Sequence, residues 1–259
     1  AFEMKKLLYF GLLFSLASLP AVSQTDDLEL NPFIVPTQIF NNPSADSDTA
    51  STLVAAEGQE AKVAYNAGIT LFQNGSYSEA VAAFNEAISY DPKMTNAYYG
   101  RGTSYMQLKN YDKAISDLQE YAKSKKDDYN TTFLIGYCNY LNGDYETALT
   151  NFENAVEYGS RDANLYYYMG VIYFNKADYD EAIKYYTRAT DIDENHAFAL
   201  NDKGSAYRMK RDLAEAIKYY KKAAEINKNV DIFYANLGSA YRLNKDYSKA
   251  IEAYDEALK

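Results

Sequence analysis

The sequence predicts an all-α solenoid of antiparallel helix pairs, and three ladders of residues predict it. Glycine recurs every 34 residues, at Gly68, Gly102, Gly136, Gly170, Gly204 and Gly238. Alanine keeps step at Ala80, Ala114, Ala148, Ala182, Ala216 and Ala250. A large residue follows four places later, at Phe84, Leu118, Phe152, Tyr186, Tyr220 and Tyr254. Three registers held over six periods without an insertion mark a repeat array, in which each unit buries its apolar face only by stacking on its neighbours.

The period Ala163–His196 shows why each unit is a pair of helices. Tyr166, Met169, Tyr173 and Phe174 recur at three- and four-residue intervals, the spacing of an amphipathic helix. Asp178 then stands where an N-cap belongs, with Asp180 and Glu181 in the opening turn, where the helix dipole favours negative charge. The second helix carries Ala182, Tyr186 and Ala189 on one stripe. Gly170 and Ala182 are small where two helices would cross closely, and Tyr186 is large enough to fill the space beside them.

This small-and-large pattern resembles the tetratricopeptide repeat: a large residue at position 4, Gly at 8, Tyr at 11, Ala at 20, an aromatic at 24 and Ala at 27. Tyr105, Tyr173, Tyr207 and Tyr241 match position 11, and Ala87, Ala155, Ala189, Ala223 and Ala257 match position 27. Pro92 is the one proline at position 32. The resemblance covers 61–259, as repeats 61–94, 95–128, 129–162, 163–196, 197–230 and an incomplete 231–259. Two departures adjoin each other: Asn139 replaces the position-11 tyrosine, and Tyr121 replaces a small residue one repeat earlier. Irregular stacking is expected there. The family's fold would be a right-handed superhelix.

Before the repeats, the chain changes character twice. Met4-Lys5-Lys6, the apolar run Leu7–Leu19 and the small-residue site Ala21-Val22-Ser23 read as a secretory signal peptide over 1–23, with 1–3 extraneous. Such a run is too short to span a bilayer comfortably, so the mature chain is expected to be exported, periplasmic or secreted, and bacterial. Residues 24–60 carry acidic side chains but no Lys or Arg, and include Pro32, Pro36 and Pro43, the composition of a linker that does not fold alone. Within it, Asn31–Phe40 is apolar enough to rest on the first repeat or to dock in a groove. The chain is expected to turn helical from about Ser51.

Composition excludes several classes of activity. The net charge of −10 argues against nucleic acid, whose binding rests on clustered Lys and Arg. One cysteine and one histidine, Cys138 and His196, lie in different repeats and cannot assemble a zinc site or a catalytic pair. Cys138 is expected to be a small buried residue, and His196 to be solvated in its turn. No cofactor, metal or catalytic residue is predicted, and the chain is read as a non-enzyme.

In the family that this chain resembles, the first helix of each repeat lines a concave groove, mainly with positions 2, 5, 6, 9, 12 and 13. The resemblance therefore implies a groove bearing Asn96, Asn130 and Asn164 at position 2 and Tyr65, Tyr99, Phe133 and Tyr167 at position 5, joined by Tyr137, Tyr140 and Tyr168. An amide both donates and accepts, so a row of asparagines suits an extended peptide backbone, and tyrosines offer flat amphipathic area. Arg208 and Arg242 at position 12 suit a carboxylate or phosphate. The family's chaperone-binding clamp is not matched, because Tyr65, Ile69 and Gly100 stand where its Lys and Asn residues belong. A protein or peptide partner is expected. The alternatives are a polysaccharide-handling envelope module, with tyrosines stacking on sugars, and the targeting portion of a longer enzyme. Leu237, Tyr241, Tyr254 and Leu258 are expected to leave an open stacking surface at the C-terminal end, favouring further sequence or self-association.

Overall fold

The computed structural model describes residues 54–259, so the readings of a signal peptide and of most of the linker lie outside the described residues. Twelve helices and no strand occur among the described residues. They are α1 (Val54–Gln73), α2 (Tyr77–Tyr90), α3 (Thr95–Gln107), α4 (Tyr111–Ala122), α5 (Tyr129–Leu141), α6 (Tyr145–Glu157), α7 (Ala163–Asn175), α8 (Tyr179–Ile192), α9 (Ala197–Met209), α10 (Leu213–Ile226), α11 (Asp231–Leu243) and α12 (Tyr247–Ala257). Odd-numbered helices are the first of each repeat and even-numbered ones the second.

Two compact units divide the described chain, residues 54–165 and 166–259. Within each, helices pack on their neighbours in sequence, and first helices of adjacent repeats also touch, α1 on α3 and α9 on α11. The solenoid is thus a run of nearest-neighbour interfaces.

Why the glycine ladder exists is visible at each crossing. A methyl group at Gly170 would stand 2.6 Å from two ring carbons of Tyr186, and one at Gly68 would stand 2.7 Å from Phe84. Gly136 and Gly238 face Phe152 and Tyr254 at 2.9 and 2.8 Å in the same way. The ring at position 24 therefore occupies the space a side chain there would need, and Phe84, Phe152, Tyr186 and Tyr220 are fully buried. Gly102 differs, because its neighbours are Asp117 and Leu118. Asp117 is buried but paired, its two carboxylate oxygens accepting from Arg101 at 2.6 and 2.7 Å. That two-point geometry satisfies the charge that burial would otherwise leave costly.

Each first helix ends in the same turn. The residue at position 15 has positive φ in all six repeats: Gly75, Lys109, Gly143, Ala177, Arg211 and Lys245. The next amide reaches back five residues, as Asp178 N does to Tyr173 O at 2.9 Å and Asn110 N to Tyr105 O at 2.8 Å. This is a Schellman closure, which normally calls for glycine at the left-handed residue. Only Gly75 and Gly143 supply it. The following residue then caps the second helix. Asp144, Asp178 and Asp212 accept from the amides of Thr147, Glu181 and Glu215 at 3.1–3.2 Å.

Tyr121 and Asn139 are accommodated rather than disruptive. Tyr121 is buried against Tyr99, ring centroids 4.9 Å apart, and the Asn139 amide donates to Ile135 O at 2.9 Å. Two expectations need correction. His196 is half-buried instead of solvated, because its Nδ1 caps α9 by accepting from Ala199 N at 3.1 Å and its ring lies 5.0 Å from that of Tyr167. At the last repeat, Leu237 is buried instead of exposed, packed with Tyr220, Ala240 and Ala253, while Tyr241, Tyr254 and Leu258 are half-buried. The exposed large groups there are Leu243, Tyr247 and Ile251.

Candidate functional site on the first helices

Six of the rings expected to line a groove are committed to packing. Tyr99, Phe133, Tyr137, Tyr140, Tyr167 and Tyr168 are each at most 6% exposed. Phe133, Tyr137 and Tyr140 form a stacked run along α5, at 6.2 Å and near-parallel, and Phe133 also meets Phe152. Tyr167 lies between Tyr168 and Tyr186, at 5.3 and 6.0 Å. Only Tyr65 remains half-buried, against Phe84. Burial pushes its hydroxyl up to about 12, and that of Tyr99 higher still.

The asparagine row is more open. Asn96, Asn130 and Asn164 are half-buried second residues of α3, α5 and α7. Asn164 uses its amide locally, donating to Asp162 at 3.1 Å. The side-chain amides of Asn96 and Asn130 make no hydrogen bond among the described residues, so both a donor and an acceptor are available on each.

Residues 166–259 hold a polar chain across the first helices of three consecutive repeats. The Tyr167 hydroxyl donates to Asp202 Oδ2 at 3.0 Å, and Asn201 Nδ2 donates to Asp202 Oδ1 at 2.9 Å. Asn236 Nδ2 in turn donates to Asn201 Oδ1 at 2.9 Å. Desolvation pushes the Asp202 carboxyl up to about 6, partly offset by the two donors it accepts from. Further along α9, Arg208 Nε donates to the Tyr220 hydroxyl at 3.3 Å, which donates to Ser205 Oγ at 2.9 Å. Arg242 Nε is buried without a partner among the described residues. The sequence reading missed Asn201, Asp202 and Asn236. The available signal was position 6, which runs Asn66, Gly100, Leu134 and Tyr168 before turning to Asp202 and Asn236.

Comparison with known families decides the classification. Models of the tetratricopeptide repeat match residues 65–130, then 128–195 and 161–229, then 232–259. The chain belongs to the tetratricopeptide repeat family.

Solved tetratricopeptide repeat structures share its fold. MamA from Desulfovibrio magneticus is 21% identical with a TM-score of 0.61, covering 65% of this chain and 96% of that one. The C-terminal part of a repeat protein from Cytophaga hutchinsonii is 22% identical with a TM-score of 0.65, covering 75% and 78%. YrrB, described as having an unusual peptide-binding site, is 20% identical with a TM-score of 0.56, covering 69% and 92%. Two curated relatives are similar over shorter stretches. A tetratricopeptide repeat and J domain-containing co-chaperone of Cryptococcus neoformans is 33% identical over 84 residues, 32% of this chain, and neutrophil cytosol factor 2 of Bos taurus is 36% identical over 59 residues, 23% of this chain. The matches span only 14% and 11% of those proteins' lengths. Tetratricopeptide repeat arrays are protein-interaction scaffolds, generally without catalysis. No helix among the described residues is long and apolar enough to cross a membrane. Cys138 is fully buried, its thiol pushed up to about 12 by that burial, and so lacks the accessible thiolate a nucleophile needs.

Proposed function

We propose that this chain is an exported bacterial scaffold that binds a protein or peptide segment along the first helices of its repeats, serving as an adaptor in an envelope or secreted assembly. The observation that carries the reading is the pair of half-buried amides on Asn96 and Asn130, one repeat apart and with no hydrogen-bond partner among the described residues. Amides in that state suit the alternating donors and acceptors of an extended backbone. Arg208 and Arg242 would meet a partner carboxylate or phosphate, and Tyr65 offers its partly open ring. Binding works by complementarity, with no covalent step. Likeness of fold to YrrB is consistent with a peptide ligand. Stacking on sugars needs open ring faces, and the burial of six rings leaves the polysaccharide reading with less support.

The test is a parallel screen of the full chain on a displayed random-peptide library and on an array of envelope polysaccharides. Peptide enrichment with no polysaccharide signal supports the proposal, and the reverse pattern overturns it. The mass of the protein recovered from the periplasm or medium of a bacterial host checks export, with cleavage after Ser23 expected.

A further inference from the structure

Repeat five carries eight Lys and Arg side chains between Ala197 and Val230, yet none of them pairs with its half-buried carboxylate, Asp202. Lys203, adjacent in sequence, turns away and lies over the Tyr219 ring at 4.3 Å. Arg208 donates to Tyr220, while Lys210, Lys218 and Lys221 pair with Asp180, Glu215 and Glu225. A carboxylate withdrawn from water without a cation is costly, and neutral hydrogen bonds recover only part of that cost. Here two neutral donors, Tyr167 and Asn201, fix its orientation, and Asn236 holds Asn201 in turn. Each carboxylate oxygen keeps a lone pair that these donors do not use.

We propose that Asp202 is a recognition site for a cationic side chain, a guanidinium or an ammonium, contributed by the bound partner. The site rests on the reading of the first helices as the binding face, since position 6 belongs to that face in the family. An incoming cation supplies the missing countercharge in a setting already oriented by three helices. Arginine fits best, because its planar fork can meet two carboxylate oxygens at once. The titratable or charged groups around the site are Tyr167 from α7, Tyr220 from α10, Lys203 and Arg208 on α9 itself, and His196, whose ring lies against that of Tyr167. α11 contributes neutral Asn236.

The probes are N-acetyl-arginine amide and its neutral isostere, N-acetyl-citrulline amide, titrated into the full chain while the carboxyl-carbon NMR resonance of Asp202 is followed. The expected result is that the arginine probe lowers the Asp202 titration midpoint by about one pH unit, as an apposed cation should. Linkage then requires roughly fivefold tighter binding at pH 7.5 than at pH 5. Citrulline should leave the midpoint in place. Asp202→Asn should abolish the preference for arginine, and His196→Asn, which keeps a capping side chain, should retain it. Equal effects of the two probes, or an unmoved carboxyl midpoint in the wild-type chain, overturn the proposal. A chain that enriches no peptide but passes this titration would refute the peptide-scaffold reading and leave the cation site standing.

Discussion

Gly170→Ala tests the packing logic of the whole array at one atom. Alanine is the better helix former by about 1 kcal/mol, so propensity alone predicts stabilisation. Against this, the new methyl would lie 2.6 Å from two ring carbons of Tyr186, about 1 Å inside ordinary contact. Tyr186 is fully buried on α8 and cannot swing into solvent. Overpacking of this kind costs roughly 1–3 kcal/mol, which outweighs the propensity gain. The net expectation is a loss of about 1 kcal/mol, read as a fall of about 2–4 °C in the thermal midpoint for a chain of this size. Adding Tyr186→Leu removes the ring, and in that background Gly170→Ala should be neutral or stabilising. If Gly170→Ala raises the midpoint equally with and without the ring, the crossing is not tight and the account of the glycine ladder fails.

Three further outcomes follow from the same geometry. Ala177→Gly and Lys109→Gly place glycine at left-handed residues and should each raise stability by about 1 kcal/mol, whereas Gly143→Ala should lower it; urea midpoints decide. Asp178→Ala loses the cap on Glu181 N and should cost about 1 kcal/mol, while Ser76→Ala, where no capping bond exists, should change stability by less than about 0.5 kcal/mol. Because the folded-state carboxyl of Asp202 is raised to about 6, the native state holds that proton more tightly than the unfolded chain. Its contribution therefore favours the fold as pH falls from 7 towards 4, and urea midpoints should rise over that window relative to Asp202→Asn. Identical pH slopes for the two proteins would contradict the shift.

What the sequence made legible was whatever size dictates. Gly170, Ala182 and Tyr186 could be read as a close crossing because only small residues fit under a ring, and Asp178 as a cap because few side chains can do that work. The left-handed turn was not legible, since four of its six residues are Lys, Ala or Arg, and its cause is a backbone hydrogen bond. Nor could Tyr99, Tyr137 or Tyr167 be assigned: a tyrosine packed between helices and one presented to a ligand occupy the same register. The Asp202 network was within reach. Tyr167–Asp202 and Asn201–Asn236 both join position 5 of one repeat to position 6 of the next, a pairing that only polar residues reveal as a hydrogen bond.

The most direct test of the scaffold reading is fluorescence anisotropy of the tightest library-selected peptide against the wild-type chain and the triple variant Asn96→Ala, Asn130→Ala, Asn164→Ala. The account predicts at least a tenfold rise in Kd for the variant, together with a thermal midpoint close to that of the wild type, since these half-buried side chains contribute little to the core. An unchanged Kd in the triple variant, or a loss of binding that merely follows a loss of fold, would contradict it.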